Sequence, residues 1–315
     1  MTSRRVLDGL VIIGLAVLPF VAPGYLDLGT RVVILVLCAM SLDLLVGYCG
    51  LVTLGHAAFF GVGAYAAGIF ALRASAEPLA GLVAGGAAAA IAGVLSGAVL
   101  LRSRRLTLIM LSLATVLLLQ EIANKLGWLT GGADGLQGIA IGPVAGVFAF
   151  DLFGRVSYTY AAIVLALAFL VFRSLVDSPF GKSLVGIREN EARMRAIGTP
   201  VDLRLGTAFV IAAAMAGVAG ALQAQVAEFV ALNALSVEFS SEILIMLILG
   251  GAGRRYGAFL GVPVYVVMQD YLAREDPANW YLWIGLLLLA IVFLAPGGLA
   301  AWIGAVARRL RGTRA

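Results

Sequence analysis
Long apolar runs dominate this chain, and polar residues are gathered into short intervals between them. The runs reach sixteen to twenty-three residues, enough for a helix to cross a bilayer core. They lack the polar–apolar alternation of a barrel strand, so a β-barrel is excluded. The pattern predicts helices over 6–21, 32–46, 57–72, 79–101, 106–120, 156–172, 205–226, 257–271 and 280–295, with a shorter run at 243–252. The expected fold is therefore all-α: a single polytopic transmembrane domain over 1–315, with about ten spans. A polar loop at 122–155 and a polar interval at 173–204 interrupt it. The run at 243–252 ends in Gly250, Gly251 and Gly253, and reads either as a short span or as half of a re-entrant hairpin.

Small residues predict where helices meet. Gly81 and Gly85, Gly93 and Gly97, and Ala213, Gly217 and Ala221 recur four apart, so each set lines one helix face. Such faces permit close backbone approach inside lipid.

The longest polar interval, 178–204, carries Lys182, Arg188, Arg193, Arg195 and Arg204 against Glu189, Glu191 and Asp202. Ser178 before Pro179 marks a helix start, Leu184, Ile187, Glu191 and Met194 follow at helical spacing, and Gly198 before Pro200 marks its stop. Two readings stay open from these residues: an amphipathic helix on the membrane surface, or a docking element for a cytoplasmic partner.

Composition agrees with a membrane protein. The chain has 315 residues, 62% hydrophobic and 12% charged, and a soluble domain carries about twice that charge. The net charge of +5 does not point to nucleic acid. With ten spans and the N-terminus inside, 17 of the 22 basic residues fall on the cytoplasmic side and 5 outside, which favours both termini in the cytoplasm. A hairpin at 243–271 would change the count to 15 against 7 and keep the orientation. Arg4 and Arg5 precede an apolar run without a small-x-small cleavage site, so 6–21 is expected to be an uncleaved span. Cys38 and Cys49 lie in or beside apolar segments, and no disulfide framework is expected.

Candidate chemistry is sparse. A lone histidine, His56, excludes two-His metal sites, and no phosphate-binding loop is complete around Gly181, Lys182 and Ser183. The chain is expected to be no enzyme and to bind no cofactor or metal. Ionisable groups in the spans are functional candidates, Asp43 the deepest, with Glu121 and Asp270 nearer the ends. The glycine-interrupted break from Gly47 to Gly55 suggests backbone lining a cavity. From the break and one-face spacing, Asp43, Thr53, His56 and Tyr65 are candidates for a translocation path. Asp43 or Glu121 would suit a proton-coupled secondary transporter; a membrane assembly or sensor protein is a third class.

The run from Gly50 to Tyr65, GLVTLGHAAFFGVGAY, resembles the signature of permeases of branched-chain amino acid ABC importers. Thr130 to Leu136, TGGADGL, is similar to a loop of their M-type subunit. The stretch from Gly186 to Gly198 resembles their cytoplasmic coupling loop, Ala208 to Ala221 the helix after it, and Leu249 to Gly257 a later segment. Together these cover about 42–296, in order. Thr53 stands where serine is usual, and Arg204 is the nearest base where a lysine commonly precedes the Ala-Phe pair. The resemblance implies a multi-pass subunit of a bacterial inner membrane. It would pair with a homologous second permease, with two cytoplasmic ATPases that hydrolyse ATP for it, and with a periplasmic solute-binding protein. Arg188, Glu189, Asn190, Glu191, Ala192, Ala196 and Gly198 would couple to the ATPases. Gly131, Gly132, Asp134 and Gly135 would lie towards the binding protein. Branched-chain amino acids are the implied solutes, with urea or short amides as the alternative.

Overall fold
The computed structural model describes residues 23–103, 105–143, 148, 154–277, 279–294 and 297–302. The span expected at 6–21 and both termini lie outside the described residues. Twelve helices are numbered here in chain order: α1 Leu26–Asp43, α2 His56–Arg73, α3 Pro78–Leu100, α4 Arg105–Lys125, α5 Gly127–Thr130 and α6 Arg155–Asp177. They continue with α7 Pro179–Glu189, α8 Glu191–Ala196, α9 Val201–Ala227, α10 Val237–Gly250, α11 Gly257–Glu275 and α12 Trp280–Leu294. Apart from single bridging residues, the described residues form helices and turns.

Among the described residues, five helices are long and apolar enough to cross a membrane: α1 with its continuation to Cys49, α3, α4 from Leu106, α6 and α9. α1 is the axis. It packs against α6, α9, α10 and α11, and 89% of its apolar window is buried, against 22% in α4. A helix that is apolar all round has no face to give to water, and its neighbours decide whether it meets protein or lipid.

The small-residue faces meet as expected. α3 runs antiparallel to α9: an added methyl at Gly85 would fall 2.7 Å from the Ala221 Cβ, and one at Gly93 would fall 2.6 Å from the Ala213 Cβ. α2 enters the same seam, where a methyl at Gly63 would come within 2.2 Å of the Gly217 carbonyl oxygen. Lipid supplies no hydrophobic drive between helices, so this close contact is what dispersion forces act through. A buried polar clamp crosses the bundle nearby. Tyr160 on α6 donates to Gln225 on α9 at 2.9 Å, and Gln225 donates to the Pro78 carbonyl at 2.7 Å.

Several boundaries differ from the pattern of the sequence, such as the start of α1 at Leu26 and the end of α4 at Lys125, and three bear on the site. α1 continues past Gly47 as a π-helical turn, Leu44–Cys49, so the chain leaves helix only at Gly50, whose φ is +73°. α10 begins at Val237, ahead of the apolar run, because the Ser236 hydroxyl accepts from the Phe239 amide at 3.0 Å and caps it. The polar interval is two helices and not one. Asn190 turns extended and its side chain accepts from the Arg193 amide at 2.9 Å, which ends α7 and starts α8.

Candidate functional site
The candidate residues fall into two polar regions at opposite ends of the bundle, with a buried strip between.

The first region surrounds Arg188. Ser178 caps α7, its hydroxyl accepting from the Gly181 amide at 3.3 Å, and Leu184 and Ile187 bury its inner face. From the last turn Arg188 reaches back to α1 and donates through Nη1 to the Gly47 carbonyl. That carbonyl belongs to the final turn of a helix, where acceptors lack intrahelical partners and a cation is favoured. Alongside, Asp43 Oδ1 accepts from the Gly253 amide at 2.7 Å, in the turn joining α10 to α11. Gly47 lies so close to this pair that a methyl there would sit 2.1 Å from Asp43 Oδ1 and 2.3 Å from the Gly253 nitrogen. Arg255, two residues on, pairs with Asp177 at the end of α6.

Outward of this junction, Glu189, Asn190, Glu191, Ala192, Ala196 and Gly198 are exposed. Arg195 binds Glu191 at 2.9 Å and grips Asp202 through two nitrogens at 2.9 and 2.6 Å. Asp202, then Glu191, hold the Arg195 guanidinium above its ordinary range, so it stays charged. Ile197 and Leu203 are exposed beside this network at 69% and 67%. A cavity of about 1630 Å³ opens between these helices and the ends of α3, α4 and α9, lined among others by Cys49, Arg102, Leu106, Arg188 and Asp202.

The second region is the loop after α4. Gly131, Gly132 and Gly135 all have positive φ, and a methyl on Gly131 would fall 2.0 Å from the Gly135 carbonyl oxygen. The Thr130 hydroxyl accepts from the Gly132 amide at 3.3 Å. Leu136 and Val230 exchange backbone hydrogen bonds of 2.8 and 3.1 Å, and both side chains enter a small core with Tyr65, Ile139 and Leu235. Asp134 is exposed, as is Trp128, whose ring lies 5.6 Å from the Arg73 guanidinium carbon.

The candidates for a path do not form one cluster. Asp43 belongs to the Arg188 region and Tyr65 to the core beneath the Leu136 loop. Thr53 accepts from the Gly55 amide at 3.0 Å, at the entry to α2. His56 Nε2 lies 2.7 Å from the Ser41 hydroxyl, which is itself 2.6 Å from the Cys38 carbonyl oxygen. Its Nδ1 and the Tyr65 hydroxyl are buried without a hydrogen-bond partner among the described residues. None of the four lines the cavity.

Reading residues along the chain missed the split of α7 from α8 and most of the partners. Gly253, Arg255 with Asp177, and Val230 as the mate of Leu136 depend on distant contacts, and Asp202 clamps Arg195 from across the α8–α9 turn. Asn190 alone left a local signal, a good capping residue immediately before Glu191.

Comparison with known proteins supplies a further observation. The model of a family described as branched-chain amino acid transport system / permease component matches residues 24–311. The high-affinity branched-chain amino acid transport system permease protein LivM of Salmonella typhimurium is 29% identical, over 94% of this chain and 75% of that protein. LivM of Escherichia coli is also 29% identical, over 89% of this chain and 71% of its own length. No solved structure matches.

Proposed function
Because this chain belongs to the family of branched-chain amino acid transport permease components, we propose that it forms half of the translocation path of an ATP-driven importer. Its partners in this reading are a homologous second permease, two cytoplasmic ATPases and a periplasmic solute-binding protein. The carrying observation is the α7–α8 pair, anchored through Leu184 and Ile187 yet presenting Glu189 to Ala192, Ala196 and Gly198 outward. A segment held inside by apolar side chains and offering mixed charge outside suits a groove in a protein. A purely basic face would suit anionic lipid better.

In this arrangement the Arg188 end faces the cytoplasm and the Leu136 end the periplasm, as the bias of basic residues favours. Both termini would then lie in the cytoplasm, with about ten spans in the bacterial inner membrane. Exposed apolar residues such as Met110, Leu117 and Leu118 on α4 would meet lipid or the second permease. ATP would be bound and hydrolysed by the partner subunits. Asp134 and its glycine neighbours would lie near the incoming binding protein.

The test is purification of the tagged chain in mild detergent from its native membrane, followed by ATP-driven leucine uptake in vesicles. A second permease and ATPases in the eluate, with uptake lost in Glu191→Lys, are expected. The chain eluting alone, with uptake that collapses with the proton gradient, would replace this reading by a secondary transporter. Uptake of urea or short amides in place of leucine would change the solute and keep the rest.

A further inference from the structure
We infer that Arg188 is a positioning residue that passes movement of α7–α8 to the broken end of α1 and to the α10–α11 turn. The inference rests on the importer reading, and it concerns what lies inward of the exposed docking face.

One guanidinium stands where three backbone segments converge. It donates to the Gly47 carbonyl in the last turn of α1. A methyl on Gly50 would fall 2.6 Å from Arg188 Cγ, and a methyl on Gly253 would fall 3.0 Å from Arg188 Nη1. Both glycines have positive φ, so the chain turns sharply at each and leaves room for the arginine to pass between. The Gly253 amide is itself bound to Asp43, one helical turn before Gly47. The loop of contacts closes through Arg255, which pairs with Asp177 at the end of the helix leading into α7.

Neither α1 nor the α10–α11 turn can therefore shift independently of α7 while Arg188 holds Gly47. A displacement of α7 that withdraws the guanidinium leaves the end of α1 with an unsatisfied carbonyl and takes a packing neighbour from the turn, which Asp43 still holds. The side chain has somewhere to go. Arg188, Cys49 and Gly50 all line the large cavity, so a released arginine can swing into open volume and not into packed core. A π-helical turn ending in a left-handed glycine is also a place where a helix can change its winding.

The experiment uses the importer purified with its own partner subunits and placed in vesicles, and reads leucine moved per ATP hydrolysed. In Arg188→Ala the ratio falls about tenfold, the effect expected on losing a charge-assisted hydrogen bond. Arg188→Lys keeps one charged donor and recovers most of it. A purely structural arginine would lower the yield of complex and leave the ratio alone, which would overturn the inference. Should Arg188→Ala fail to assemble, the lysine variant is compared with a second readout. In a Cys38→Ala protein, Cys49 is the remaining cysteine of the two, and its maleimide labelling rate is followed with and without a non-hydrolysable ATP analogue. A change in rate on adding the analogue, diminished in Arg188→Lys, is expected; identical rates throughout would overturn the inference. A wild-type complex that moves no leucine on ATP overturns the importer reading and this inference together. Wild-type transport with an unaltered ratio in Arg188→Ala overturns this inference alone.

Discussion
The two polar ends of the bundle are held by different chemistry. At the Leu136 end, backbone meets backbone: Leu136 pairs with Val230, and positive-φ glycines let the chain turn tightly enough to do so. At the Arg188 end, charged side chains meet backbone: a guanidinium on the Gly47 carbonyl and a carboxylate on the Gly253 amide. The first arrangement leaves few side-chain contacts to release and is disrupted mainly by adding atoms. The second consists of contacts that can be given up and remade, and it breaks when atoms are removed. A rigid end and a releasable end are what a protein needs if one face is to receive and the other to be driven.

Substitutions can break that contrast. The largest effect belongs to Gly131→Val, which places a β-branched side chain at φ +78° with the Gly135 carbonyl oxygen in its way. It should cost about 3 kcal/mol, read as a lowered unfolding midpoint of the purified protein. Asp43→Ala comes next. It strands the Gly253 amide and should cost about 1–3 kcal/mol, whereas Asp43→Asn retains an acceptor and should cost less by the same measurement. Transport by the Asn variant also separates structure from proton carriage, since an amide accepts a hydrogen bond but cannot carry the proton. Trp128→Ala removes an exposed cation–π contact with Arg73 and should cost about 0.5–1 kcal/mol. Arg195→Ala should move the midpoint least, and its difference from wild type should shrink in high salt, because the pairs with Glu191 and Asp202 are solvent-exposed.

Which parts of this were legible in the sequence follows the range of the interactions. Helices announce themselves through uninterrupted apolar runs. The seam between α3 and α9 was readable because each partner carries small residues at its own four-residue spacing, whichever helix it meets. The Ser178 cap was readable for the same local reason, as was a break between Gly47 and Gly55, though not that helix persists to Cys49. The junction at Arg188 was not. Its members are separated by 141 residues in one contact and 210 in another, and no periodicity links an arginine to a carbonyl that every residue possesses. The four path candidates shared a neighbourhood in sequence, and the structure sends them to different partners because Asp43 stays at the end of α1 while Tyr65 lies well along α2, beneath the Leu136 loop. Asn190 is a different case: helical spacing runs straight through it, and a capping side chain outcompeted that spacing.

The hydrogen bond from Gly253 to Asp43 also sets a schedule for synthesis. The carboxylate emerges from the ribosome 210 residues before its amide partner. At about 5–20 residues per second, that interval is roughly 10–40 s. During it, the helix destined to be the most enclosed of the five gains α6, α9 and α10 in turn, while α11 follows only afterwards. A nascent chain arrested before Gly253 would carry an unmet acid at the end of its central helix. That makes the α10–α11 turn the point in translation after which the bundle can first close.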